Sequence, residues 1–282
     1  MAKILDGRPI YQKLKNEVIS EVAKLRQQKI VPTLAVISFA AKSDSQGYLR
    51  ARQKLANELK INLEIINFLK VPTERLLIQK IKQLNKNKKI HGIIIDRPLP
   101  GGLAEFKVFS ELEPTKDIDG CHPLSSGNLM QGYPGFVPNT SAAVVEILKH
   151  YKIKLEGMDT LVIGRSKNVG LPMFPLLNKE NATVTLCHSK TKNLAAKAKL
   201  AQLIVVAVGI PNFIKMEHIN KETILIDVGT NYLDNGTLVG DADPKIYSKI
   251  KAYSPVPGGV GPVTNIILFK NLINGIKKAY GK

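Results

Sequence analysis

The sequence predicts an α/β protein of two domains built on parallel sheets, and three observations carry that prediction. Short apolar runs alternate with longer amphipathic stretches from one end to the other, the pattern of strands joined through crossover helices. Runs such as HGIIID (91–96) are apolar without alternation, as strands covered on both faces are. The length, 282 residues, is about twice that of a typical domain.

Taken in order, residues 8–29 carry Ile10, Leu14, Val18, Val22 and Leu25 at helical spacing. TLAVISFA (33–40) reads as a buried strand, 45–59 as a helix and NLEIINFL (62–69) as a strand. Residues 73–86 follow as a helix with Leu76, Leu77, Ile81 and Leu84. The strand 91–96 must stop before Pro98 and Pro100. The segment 111–141 is rich in Gly, Pro, Ser and Asp and reads as a domain boundary or a functional loop. The pattern then resumes: helix 140–152, strand 159–163, helix 169–178 and strands 182–187, 202–207 and 223–228. The loop SPVPGGVGP (254–262) precedes a final helix, 263–279.

Hydrophobic residues at 44% and charged residues at 23% exclude a disordered, collagen-like or coiled-coil chain. Lys plus Arg is 41 against 23 Asp plus Glu, a net charge of +18 that directs attention to nucleic acid, an anionic membrane or a phosphorylated ligand. No nucleic-acid-binding motif accompanies it, so specific nucleic-acid binding is not expected. Asp6 and Arg8 come too early for a signal peptide, and no apolar run approaches 18 residues. Cys121 and Cys187 cannot form a disulfide framework and fit a reducing cytoplasm. The five histidines form no HxH or HxxxH pair, so no metal site is expected.

The strongest local signal is TLVIGRSKNVGLP (160–172), an apolar strand running into Gly164, Ser166 and Gly170 at a helix start. Such a glycine-rich turn brings a pyrophosphate to a helix N-terminus, and it makes Gly164, Arg165, Ser166, Val169 and Gly170 candidate dinucleotide contacts. An NAD-specific fold places a carboxylate near the end of the next strand, to hold the ribose hydroxyl. Here the chain offers His188, Ser189, Lys190 and Thr191 instead. With Arg165 nearby, these donors suit a 2′-phosphate, so NADP is expected over NAD. IVVAVGIP (204–211) and ILIDVGTN (224–231) each run an apolar strand into Val-Gly. They add Val208, Gly209, Asp227, Gly229 and Thr230 as expected lining of the nicotinamide end.

GRSKNVGLP, HSKT, IDVGTN, GDAD (240–243) and PVPGGVGPVT (255–264) together resemble the methylenetetrahydrofolate dehydrogenase/cyclohydrolase family. SQGYLRAR (45–52), RPLP (97–100) and KDIDG (116–120) fall in that family's order, so the resemblance spans nearly the whole chain. It implies oxidation of 5,10-methylenetetrahydrofolate with NAD(P), followed by hydrolysis of the methenyl product to 10-formyltetrahydrofolate, in a cytosolic homodimer. It also implies a substrate domain, 1–138 plus 264–282, and a Rossmann-like NAD(P)-binding domain, 139–263, with both ligands in the cleft between them.

Carried over residue by residue, the resemblance makes Tyr48 a stacking partner for the folate and Asp119 an acceptor for pterin N–H groups. It makes Leu99, Pro100, Pro257, Gly258, Gly259 and Val260 substrate contacts. Four departures surround the substrate site. The family's Tyr-x-x-x-Lys has Arg52 for Lys, and Lys54, two residues further, lies on another helix face. The strand that ends in Gln-Leu-Pro-Leu-Pro in the family has Asp96 for Gln and Arg97 for the first Leu. The Pro-Cys-Thr-Pro segment is here Pro138-Asn139-Thr140-Ser141, and Ser125 stands for an Asn. A lysine can shed and regain a proton, whereas an arginine keeps its own. An Arg52/Asp96 pair therefore predicts a dehydrogenase whose cyclohydrolase step is weak or lost, with Asp96 placed to stabilise the methenyl cation. A silent NADP- or folate-binding relative and an enzyme of another pterin-like substrate stay open as alternatives. The resemblance also narrows the meaning of the charge: a basic cleft attracts both dinucleotide phosphates and folate glutamates.

Overall fold

The computed structural model describes residues 2–39 and 43–281, with the side chains of 43–48 outside that description. In chain order the first half comprises β1 (Lys3–Ile4), α1 (Arg8–Gln27), β2 (Thr33–Phe39), α2 (Ser43–Glu58), β3 (Asn62–Phe68), α3 (Glu74–Lys86), β4 (Gly92–Ile95), α4 (Glu105–Ser110) and α5 (Pro123–Gln131). The second half comprises α6 (Asn139–His150), β5 (Asp159–Ile163), α7 (Gly170–Lys179), β6 (Thr183–Cys187), α8 (Leu194–Leu200), β7 (Leu203–Val206), β8 (Ile224–Asp227), β9 (Asn231–Tyr232), β10 (Leu238–Val239), β11 (Ala252–Tyr253) and α9 (Val260–Ala279).

The chain divides into two compact units. One holds Lys13–Asn128, Pro134–Val137 and Asn265–Lys282, and its sheet is three parallel strands in the order β3-β2-β4. Helix α3 shows why the sequence folds this way locally. The Thr73 hydroxyl accepts from the Leu76 amide at the helix start, and Leu77, Ile81 and Leu84 recur at helical spacing. These three pack with Ile37, Ile93, Ile95, Val108 and Phe109 into one core. Leu76, in the first turn, points off this stripe and is 47% exposed. The five apolar positions expected to face inward on α1 are all buried.

The other unit holds Met1–Gln12, Leu129–Tyr133 and Pro138–Thr264. Its six strands run in the order β1-β11-β8-β7-β5-β6, all paired in parallel. Strand β6 lies on one side of β5 and β7 on the other, so the topological switch point falls at the carboxyl end of β5. The pairings align Ile163, Cys187, Val206 and Asp227 in one row at that end, and the loops that follow all leave from this edge.

Three local expectations change. The first strand, assigned by the resemblance to the substrate domain along with the rest of 1–138, belongs to the six-stranded unit, because Lys3 and Ile4 pair with Ala252 and Tyr253. The loop-rich segment 111–141 contains α5, whose sequence PLSSGNLMQ lacks an apolar stripe. Its start is held by the buried Asp117, which accepts from the Cys121 and His122 amides and the Ser125 hydroxyl. The last helix begins at Val260, inside the glycine-proline loop rather than after it. No described helix is long and apolar enough to cross a membrane.

Candidate active site

In the three-stranded unit, the candidate chemistry gathers at the carboxyl end of β4. Arg52 extends from α2 and donates from Nη1 to Asp96 Oδ1 at 3.0 Å. The two side chains are 18% and 17% exposed, so the pair is partly shielded from solvent. The Asp96 backbone continues the sheet ladder by donating to the Ile37 carbonyl. Arg97 then turns back across Phe109, its guanidinium carbon 4.1 Å from the ring centroid, and the Arg97–Pro98 bond is cis. Leu99 and Pro100 follow, both half-buried. Tyr48 stands on α2 four residues before Arg52, and its side chain lies outside the described residues.

Asp119 sits in a turn that Asp117 organises. The Cys121 thiol donates to the Asp119 carboxylate at 3.3 Å. Burial, and then the Asp119 charge, push that thiol well above its ordinary range, so it remains a donor rather than a thiolate. Burial also raises the Asp117 carboxyl, against the pull of its three donors. Asn271 on α9 donates to the Ile118 carbonyl and fixes the middle of the turn. Sequence reasoning noticed Asp119 in KDIDG and passed over Asp117. The spacing of the two acids gave no signal of their roles, because only the fold brings the Cys121, His122 and Ser125 donors to Asp117.

In the six-stranded unit, the glycine turn leaves β5 at the switch point. Gly164 has φ +121°, and a Cβ there would lie 2.3 Å from the Ala207 carbonyl oxygen. A Cβ on Gly170 would lie 1.9 Å from the Gly164 carbonyl oxygen. Both positions therefore require glycine for the turn to close against β7 and α7. Ser166 is more than a small spacer, since its hydroxyl accepts from the Val169 and Gly170 amides where the turn runs into α7. Ser141, in the segment that departs from the family, donates to the Asn168 and Val169 carbonyls and steadies the same turn. Arg165 and Ser166 are exposed at the mouth of this turn, as a phosphate ligand demands.

After β6 the His188 amide donates to the Thr191 hydroxyl, and the Lys190 amide donates to His188 Nδ1. Ser189 is exposed on this closed turn. Asp227 departs from expectation. It is fully buried, and its carboxylate accepts from the Gly229, Asp241 and Ala242 amides, so it holds loops and does not face a ligand. Burial pushes its carboxyl up to about 6, with those three donors pulling the other way. Val208, Gly209, Gly229 and Thr230 lie on the loops it helps to hold, with Gly209 and Thr230 exposed and Gly229 buried. The Val256–Pro257 bond is cis, Pro257 is exposed, Gly258 is half-buried, and Gly259 and Val260 are buried. The residues expected to bind the dinucleotide thus collect at one edge of one sheet, where the backbone cradle at Gly164–Gly170 fits a pyrophosphate.

Comparison with known proteins agrees with this geometry. Residues 138–280 match the tetrahydrofolate dehydrogenase/cyclohydrolase NAD(P)-binding domain, and residues 5–119 match the catalytic domain of the same family. The chain is 41% identical to the bifunctional protein FolD of Bacillus licheniformis over 278 residues, 98% of each chain. Its fold superposes with a TM-score of 0.96 on the crystal structure of the bifunctional methylenetetrahydrofolate dehydrogenase/cyclohydrolase FolD from Campylobacter jejuni. That match is 35% identical and covers 99% of this chain and 100% of the other. The Trypanosoma brucei methylenetetrahydrofolate dehydrogenase-cyclohydrolase, complexed with NADP cofactor and inhibitor, gives a TM-score of 0.93 at 31% identity, covering 100% of this chain and 99% of that one.

Proposed function

This chain belongs to the tetrahydrofolate dehydrogenase/cyclohydrolase family, and from that premise we propose that it is an NADP-dependent methylenetetrahydrofolate dehydrogenase with a weak cyclohydrolase step. The dehydrogenase reading rests on the Gly164–Gly170 turn at the switch point of a parallel sheet. Bound NADP supplies the hydride acceptor. Arg165, Ser189 and the residues of the His188–Thr191 turn supply donors for the 2′-phosphate. Gly164, Ser166, Val169 and Gly170 admit the pyrophosphate, and the loops after β7 and β8 line the nicotinamide end. Hydride transfer from the methylene carbon needs no protein base, so positioning dominates. Tyr48 stacks on the folate, Asp119 accepts from pterin N–H groups, and Asp96 stabilises the methenyl cation that loss of hydride leaves. Leu99, Pro100 and the 257–260 segment complete the substrate contacts.

The second step adds water to the methenyl carbon and moves protons as the ring opens to 10-formyltetrahydrofolate. A lysine can relay such protons, whereas an arginine tied to a carboxylate at 3.0 Å holds its own. The Arg52–Asp96 pair is the observation that supports a slow hydrolysis. Edge strand β3 pairs on one side with β2 and offers seven residues of backbone on the other, which supports a homodimer. The free thiols Cys121 and Cys187 suit a reducing cytoplasm.

The test is spectral. Purified protein with methylenetetrahydrofolate and NADP is expected to form NADPH and accumulate the methenyl product. The double variant Arg52→Lys with Asp96→Gln is expected to convert that product onward at least about tenfold faster, a gain equivalent to ~1.4 kcal/mol at the barrier. Prompt hydrolysis by the unaltered protein, beyond the spontaneous rate, would overturn the weak second step. NADP binding without NADPH formation would favour a silent relative.

A further inference from the structure

The loop that follows β7 is held by an acid that the cofactor reading does not use. Asp241 is fully buried, 33 residues beyond Val208 in sequence. Its Oδ2 accepts from the Val208 amide at 2.6 Å and the Gly209 amide at 3.0 Å. Its Oδ1 accepts from the Ile210 amide at 3.0 Å and the Asn231 side-chain amide at 2.8 Å. Asp241 is itself held by Asp227, whose carboxylate accepts from the Asp241 and Ala242 amides. Successive amides aimed at one point form a nest for an anion. In this loop the anion is the protein's own.

The consequence follows from peptide geometry. In a trans peptide the carbonyl opposes the N–H. With the amides of 208, 209 and 210 turned to Asp241, the carbonyls of Ala207, Val208 and Gly209 turn the other way. For Ala207 that other side is the side of the glycine turn, because a Cβ on Gly164 would meet its carbonyl oxygen at 2.3 Å. We infer that Asp241 is a positioning residue that sets the polarity of the 207–210 loop, so that the loop presents carbonyl oxygens to the cofactor and selects a hydrogen-bond donor there, the primary amide of the nicotinamide ring. Strand order supports the assignment to that half of the dinucleotide. The 2′-phosphate donors follow β6, on one side of β5, whereas β7 lies on the other. The inference rests on the proposed NADP reading.

The test compares NADP with its 3-acetylpyridine analogue, in which a methyl group replaces the amide nitrogen, by fluorescence titration of the full chain. The unaltered protein is expected to bind NADP about tenfold more tightly than the analogue, the value of a hydrogen bond or two. In Asp241→Asn, whose amide must donate where the carboxylate accepted, the preference is expected to shrink to about twofold or less. Equal binding of the two ligands by the unaltered protein overturns the proposal without any variant, so a variant that fails to fold does not rescue it. An Asp241→Asn protein that melts earlier yet keeps the full preference also overturns it, since a purely structural role lowers stability and leaves the ratio alone. Failure of the unaltered protein to bind NADP at all overturns the cofactor reading, and this inference with it.

Discussion

The carboxyl ends of the two sheets use acidic residues in opposite ways. At the six-stranded sheet, Asp227 and Asp241 turn inward and spend their oxygens on backbone amides. At the three-stranded sheet, Asp96 meets the Arg52 side chain, and both remain partly open. The first arrangement shapes loops and leaves recognition to backbone. The second keeps a formal ion pair partly open to solvent. Asp227 and Asp96 both stand at the ends of buried parallel strands, so strand position alone does not decide the role. What decides it is whether the following loop offers free amides, as the Val-Gly turns do, or a cationic side chain.

The comparison can be broken first at the backbone. Gly170→Ala would force a methyl group to within 1.9 Å of the Gly164 carbonyl. The expected cost is about 3 kcal/mol of stability in the six-stranded unit, together with loss of NADP binding. Calorimetry with and without NADP checks it. An unshifted melting profile with retained binding would mean that the loops tolerate movement and that the inward acids do not define them.

Asp227 sharpens the contrast through pH. Its carboxyl is raised in the fold to about 6 from an ordinary 3.8. A raised carboxyl adds stability below about pH 4 and loses that addition as the pH rises through about 6. Relative to the non-titrating Asp227→Asn, the unaltered protein is expected to lose on the order of 2–3 kcal/mol across that window. Urea unfolding at several pH values measures the difference. A difference that is flat with pH, or that rises, would show that the amide donors outweigh burial.

The smallest effect is expected at the open pair. A double-mutant cycle of Arg52→Met and Asp96→Asn should give a coupling of about 1 kcal/mol, as for a partly exposed ion pair. Its effect on turnover should exceed its effect on stability. A coupling of several kcal/mol with no change in turnover would make Arg52–Asp96 a structural bridge and erase the contrast with the inward acids.

Much of this was legible before any coordinates. Helix α1, strands β2, β5 and β8 and the glycine turn follow from periodicity and local steric rules, which act within a few residues. The Arg52/Asp96 pairing was legible only as two coupled departures from a family pattern, and it is present at 3.0 Å. Helix α5 was not legible, because its stability comes from the Asp117 carboxylate rather than from an apolar stripe. Strand β1 was not legible either: two residues have no periodicity, and their partner lies about 250 positions away in the chain.

What the sequence determined by itself was the class of fold, the family and the chemistry each loop can offer, since these depend on residue type and short-range order. What only the tertiary structure decided was which way each acid faces. Asp96, Asp119, Asp227 and Asp241 are the same side chain in sequence. Burial and the supply of neighbouring amides, both set by strands distant in the chain, made two of them scaffold and left the other two only partly buried.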